Sequence, residues 1–253
     1  MAFRRSKRAF HSIALGIFTL FAFRSFASDL HPYPTPTLDQ ARQWYGLAKT
    51  NYLINTGNTT SAWKFAEACF EWAEFARNSD DRAKLAHEGI AAAKFAAEIA
   101  PTHPAGHFFL AMNKGQLART KSIGALSLVK EMESSLLRSI KLDPKFDNAA
   151  AERSLGLLYL NAPGWPASIG SKSKARKHLE RAVELAPDYP TNLLTLMDAY
   201  VHWEDAEALH TAMNRYRRLI PVTKEKYTGP LWENSWKDWE ERWAKIREQS
   251  QDL

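Results

Sequence analysis

The stretch Leu179-Glu-Arg-Ala-Val-Glu-Leu-Ala-Pro-Asp-Tyr-Pro190 decides how the rest of the chain is read. It has the pattern of the last two turns of a helix, stopped at Pro187 and restarted at once by a second proline. The same order of residues occurs upstream as Ala93-Lys-Phe-Ala-Ala-Glu-Ile-Ala-Pro-Thr-His-Pro104, and between the two as Leu136-Leu-Arg-Ser-Ile-Lys-Leu-Asp-Pro-Lys-Phe-Asp147. The stopping prolines, Pro101, Pro144 and Pro187, are 43 and 43 residues apart, and Pro221 follows after another 34. Self-similarity at a fixed period means that each unit buries its apolar face against its neighbours.

Working outward, the spacing predicts four helical pairs: 61–77 with 80–99, 104–119 with 124–142, 146–161 with 173–186, and 191–203 with 205–219. The first is rich in alanine and aromatics (Trp63, Phe65, Phe70, Trp72, Phe75), the small-and-large alternation that close interlocking of helices needs. Ahead of them, Thr37 has the place of an N-cap with Gln40 at the capping-box position. Leu38, Ala41, Trp44, Tyr45, Ala48 and Tyr52 then follow at 3–4 spacing, predicting a leading helix over 38–57. Glycine is scarce and no alternating strand pattern appears, so the chain reads as all-α.

The repeats resemble a divergent tetratricopeptide (TPR) array, whose period is 34 and whose units end in such a proline. Counting back from Pro187, Ala182, Leu179 and Ala175 take the small, bulky and small sites of the second helix. Leu155-Gly156 and Tyr159 take those of the first, with the connection seven residues longer than the pattern. Counting back from Pro221, Leu196-Met197 and Tyr200 fit, while Leu209 and Tyr216 replace the two alanines. The second pair keeps Leu110-Ala111 and Pro144. The resemblance implies an α-solenoid of about four hairpins over 59–221, in units of about 59–101, 102–144, 145–187 and 188–221. More narrowly, Pro163-Gly-Trp-Pro-Ala-Ser-Ile-Gly170 leading into Ser173-Lys-Ala-Arg-Lys-His-Leu179 resembles the periplasmic T-component of TRAP transporters. That resemblance implies an oligomer and a solute-binding protein as partner.

Residues 1–27 read as a secretory signal: Arg4, Arg5, Lys7 and Arg8, the apolar run Ile13–Phe23, and the small-x-small site Ser25-Phe26-Ala27. The expectation is cleavage after Ala27 and a periplasmic or secreted product with no stable membrane span; an uncleaved N-terminal anchor is the alternative. Residues 28–37 carry alternating prolines and read as a linker. The whole chain has 34 basic and 28 acidic residues, but five of the basic ones lie in 1–27, leaving 29 against 28. The basic balance belongs to the targeting segment, so it argues for no nucleic-acid partner. The lone Cys69 excludes an intrachain disulfide, and Ala66, Phe70 and Ala73 at helical spacing predict that it is buried.

Three features could carry function. The 161–172 connector holds Trp165 and Ile169 between Pro163 and Pro166; it either lines a ligand groove beside Tyr159 or folds back as a plug. Asn113, Gln116 and Arg119 fall near one stripe of a first helix, the side on which such arrays dock peptides, or form a solvated face. Trp232, Trp236, Trp239 and Trp243 line one face of a helix expected within 228–250, with Pro230 in its first turn. That face is either a cap on the array or an oligomer interface. Its opposite side mixes both charge signs, which disfavours docking of this helix on a membrane. His103 and His107 are four apart, but the prolines at 101 and 104 place the first outside the helix, so no metal site is read there. No nucleophile elbow, phosphate loop or paired-carboxylate motif is present, and no catalytic residue or cofactor is assigned. The reading is an exported, non-enzymatic scaffold or adaptor for another exported protein or peptide segment, with self-association into a homo-oligomer left open. A transporter accessory that binds a solute or a solute-binding protein is the alternative.

Overall fold

The computed structural model describes residues 36–121, 123–251 and 253. The expected signal segment, 1–27, and most of the expected 28–37 linker lie outside them. Ten α-helices follow one another among the described residues, with no strand. They are α1 (Leu38–Ile54), α2 (Thr59–Glu74), α3 (Ser79–Ile99), α4 (Pro104–Ala118), α5 (Ala125–Leu142), α6 (Phe146–Asn161), α7 (Lys172–Leu185), α8 (Pro190–His202), α9 (Ala206–Lys226) and α10 (Glu233–Gln249). A 3-10 turn, Pro230–Trp232, leads into α10. None of these helices is long and apolar enough to cross a membrane.

Local chemistry sets the boundaries. Thr37 and Gln40 form the reciprocal capping box at α1. Asn58, Asn78, Ser171 and Asp205 each accept from a main-chain amide at the start of α2, α3, α7 and α9. The His103 ring caps α4 by accepting from the Ala105 amide at 3.2 Å, which gives that histidine a structural task. Helices α3, α5 and α7 end one or two residues before Pro101, Pro144 and Pro187.

Pro221 differs from the other three. Instead of stopping α9, it lies inside the helix, which runs on to Lys226. A proline there removes one amide bond and presses its ring on the preceding turn. No second breaker follows until Gly229-Pro230, and the extra turn is anchored by the buried Thr223 and Tyr227. The Thr223 hydroxyl donates to the Leu219 carbonyl at 3.0 Å.

α2/α3, α4/α5, α6/α7 and α8/α9 pack as hairpins. The first helices also pack on one another in sequence, α2 on α4, α4 on α6, α6 on α8, whereas successive second helices make no comparable contact. The first helices therefore form the more closely packed, inner side of the array. Alanines at 62, 66, 92, 93, 96 and 105 are buried and let α2, α3 and α4 approach closely. At Gly156 the small site is obligatory: a Cβ would come within 2.7 Å of the Leu179 side chain and 3.1 Å of its amide. Large and small thus meet across α6 and α7 as the repeat pattern requires.

The entry to α6 carries a feature that the sequence pattern does not reveal. Asp147, Asn148 and Ala149 have φ of 54°, 53° and 60°, a left-handed turn before the right-handed helix. Such a conformation costs a non-glycine residue about 1–2 kcal/mol. Asn192 of α8 offsets this: its amide nitrogen donates to the carbonyls of Asn148 (3.0 Å), Ala182 (3.1 Å) and Ala186 (3.3 Å). Its oxygen accepts from Arg153 at 2.5 Å.

Candidate interaction surfaces

The polar stripe of α4 is turned into the repeat stack. Asn113 is fully buried, and its Nδ2 donates to the carbonyls of Ala66 (2.8 Å) and Phe109 (2.9 Å). It occupies the space left open by Gly89, where a Cβ would overlap its side chain. Gln116 donates to the Phe70 carbonyl at 3.3 Å and to Glu74, and accepts from Arg82 at 2.7 Å. Arg119 forks onto Glu74 with both carboxylate oxygens at 2.9 Å. These three residues are not brought to an open groove. They tie α4 to α2 and α3, because the stripe that a helix presents to its neighbours has the same 3.6-residue period as one that faces solvent.

In the 161–172 connector, Trp165 and Ile169 part company. Ile169 packs against the core, while Trp165 stands 88% exposed and does not plug the repeat. The loop that presents it is braced: Gly170 N donates to Pro163 O at 2.9 Å, Ser171 N to Tyr159 O at 2.9 Å, and Ala167 N to Gly164 O at 3.1 Å. Tyr159 itself is buried. Its hydroxyl donates to Glu133 at 2.6 Å, and Lys174 lies over its ring at 4.8 Å. Burial, with Glu133 adding, pushes the phenol well above its ordinary range. Tyr200, one repeat later, does the same with Glu180 (3.1 Å) under Arg176, and its phenol is pushed up to about 12 by burial and by Glu180. This repeated tyrosine–glutamate–cation arrangement was visible in sequence only as two aromatic sites.

The tryptophan face of α10 is packed within the chain. Trp239 is 2% exposed, and its indole N–H donates to Thr191 of α8 at 2.9 Å. Arg242, one turn on, donates to Thr195 (3.1 Å) and Asp198 (2.7 Å) of the same helix. Trp236 donates to the Tyr227 carbonyl at 2.7 Å; Trp232 lies against Tyr227, and Trp243 against Tyr216. In this arrangement the indoles cover the last hairpin.

Two clefts stand out among the described residues. One, of about 760 Å³, lies between the end of α9 and α10 beside Tyr227, Pro230 and Trp236. The other, of about 550 Å³, lies between α7, α8 and α9, with Val183, Leu193 and Leu196 below charged rims. Neither is beside Trp165. On the inner side of the array, Lys64, Glu67 and Glu71 share one stripe of α2, with Lys64 and Glu67 paired at 3.0 Å. Burial pushes Glu67 up to about 8; Lys64 opposes this, while Glu71 and, from α6, Asp147 add to it. Glu67 and Glu71 are buried, at 9% and 3% exposure, and Lys64 is partly exposed above them.

Known proteins bear on the fold. A family model described as RMD1-3, Regulator of microtubule dynamics protein 1-3, matches residues 35–156, a little under half of the chain. No curated protein sequence matches. Among solved structures, a thermophilic TPR protein of Thermus thermophilus, TTC0263, superposes with a TM-score of 0.63 at 14% identity. That match covers 90% of this chain and 98% of the other. MamA is a weaker neighbour, with a TM-score of 0.45 at 15% identity over 75% of this chain and 90% of its own. Hairpin order, proline spacing and the first of these superpositions agree: the chain has the fold of a tetratricopeptide-repeat solenoid.

Proposed function

We propose that the protein is an exported, non-enzymatic scaffold that binds another exported protein, or a peptide segment of it, along the inner surface of α2, α4, α6 and α8. The observation that supports this most is the packing of the four first helices on one another in sequence, which puts them on one side of the array. On α2, Lys64 offers a partly exposed cation to such a segment, above the buried Glu67 and Glu71. Export rests on residues 1–27, with Arg4, Arg5, Lys7 and Arg8 before the apolar run and Ala27 at the cleavage site.

The alternative of a transporter accessory holding a solute under the 161–172 loop rests on the Pro163–Leu179 resemblance alone; the two clefts open elsewhere. Affinity capture from the native compartment, with the wild type and Lys64→Glu compared, tests the scaffold. A stoichiometric protein partner, lost on charge reversal while circular dichroism shows the variant still folded, supports it. A partner retained by the variant, or none at all, refutes it.

A further inference from the structure

The near-neutral balance beyond residue 27 hides two basic segments, each at a loop on one edge of the solenoid. The loops joining first to second helices in consecutive hairpins lie on the same edge by the topology of the repeat. Two of them, after α4 and after α6, carry the two most exposed large apolar side chains among the described residues: Ile123 at 92% and Trp165 at 88%. Around these tips the sequence contains no acid at all from Arg119 to Lys130, and none from Arg153 to His178. The next such loop, after α8, is acidic instead, with Glu204, Asp205 and Glu207.

The cations cluster at the start of one helix. Lys172, Lys174, Arg176 and Lys177 occupy the first turns of α7, whose first turn has no acidic residue. The amino end of a helix favours anions, so each exposed cation there costs a fraction of a kcal/mol, on the order of 0.3–1. Arg176 is held by Asp205 (2.6 Å), Lys174 lies over Tyr159 and 3.8 Å from Glu133, and Lys172 lies over Trp203 at 5.5 Å, while Lys121 and Lys177 are exposed.

We infer that this edge docks on the surface of an anionic lipid bilayer, with Trp165 and Ile123 entering the headgroup layer and the lysines meeting lipid phosphates. Tryptophan favours the membrane–water interface, and each lysine near an anionic leaflet contributes attraction. A protein partner fits less well. The cores of protein interfaces are depleted in lysine and bury a contiguous patch, whereas here two isolated apolar tips stand among lysines. The braced Trp165 loop enters without having to be ordered first, which lowers the cost of binding.

Vesicle co-sedimentation of the full chain tests this, using phosphatidylcholine alone and phosphatidylcholine with phosphatidylglycerol. The inference expects binding to the anionic vesicles only, weakened at least ~10-fold by Ile123→Ser with Trp165→Ser, and similarly by Lys121→Glu with Lys177→Glu. All four side chains are exposed, so circular dichroism and the thermal midpoint should not move. Binding that survives both double variants would mean that the apolar N-terminal run carries it, and would overturn the inference. So would equal binding to both vesicle types, no binding, or loss of a protein partner in place of vesicle binding. The vesicle outcomes leave the inner-surface scaffold standing, since that reading uses other residues, whereas loss of a protein partner would count against both.

Discussion

Asn192 on α8 donates its side-chain N–H to the main-chain carbonyl of Asn148 at 3.0 Å, so the last hairpin secures the left-handed entry of the one before it. The same side chain accepts from Arg153 at 2.5 Å and closes the end of α7 through the carbonyls of Ala182 and Ala186. One amide thus joins three helices where a repeat boundary would otherwise rest on apolar contact.

Asn192→Leu should therefore destabilise the chain by about 2–3 kcal/mol, because it removes buried bonds to a charged group and to main-chain carbonyls. Urea denaturation followed by circular dichroism measures this. A loss under ~0.5 kcal/mol would show that the α6 turn is stable by itself.

Cys69 is fully buried, and burial, first of all, pushes its thiol well above the ordinary range. A thiol held neutral reacts slowly. Native protein should resist a thiol-specific disulfide reagent at pH 8 and react fully in denaturant. Rapid native labelling would mean that α2 opens from α3 and α4.

Asp205 both caps α9 and pairs with Arg176 of α7, and the Arg176 hydrogen bond, helped by the Ala208 amide, holds its carboxyl below the ordinary value. A depressed folded value stabilises above the unfolded value, and the contribution disappears as pH falls through the folded one. Wild type should therefore exceed Asp205→Asn in thermal midpoint at pH 7, and the gap should close in acid. A gap that is constant with pH would assign the effect to helix capping alone.

Much of the fold was legible because prolines and helical periodicity are local properties. Pro101, Pro144 and Pro187 mark helix ends, and Leu155-Gly156-x-x-Tyr159 matches its partner Leu179 across a longer connection. Which side of a helix faces a neighbour is not local. Asn113 and Gln116 have the spacing of a solvent stripe, yet each finds a main-chain carbonyl of α2. Pro221 has the sequence mark of a stop but lacks a second breaker beside it. The left-handed turn at Asp147–Ala149 has no sequence mark, since none of its residues is glycine. The exposure of Trp165 was equally hidden, because prolines fix the stiffness of a loop and not its direction.

The Trp239 indole, buried against Thr191, Tyr189 and Tyr227, makes α10 part of the fold of the last hairpin. Trp239→Ala should cost about 3–5 kcal/mol. Light scattering alongside thermal melting distinguishes this from a subunit interface: the account expects a lowered melting point at unchanged mass. A fall in mass with an unchanged melting point would make the tryptophan face an interface.

The most direct test of the account places a photo-activatable benzoylphenylalanine at one of three positions in the producing cell: Lys64 on the inner surface, Trp165 on the loop edge, or Leu137 on the outer α5. The account predicts a protein adduct of one defined mass from position 64, lipid adducts without protein from 165, and neither from 137. The same protein adduct from all three positions, or none from 64, would contradict it.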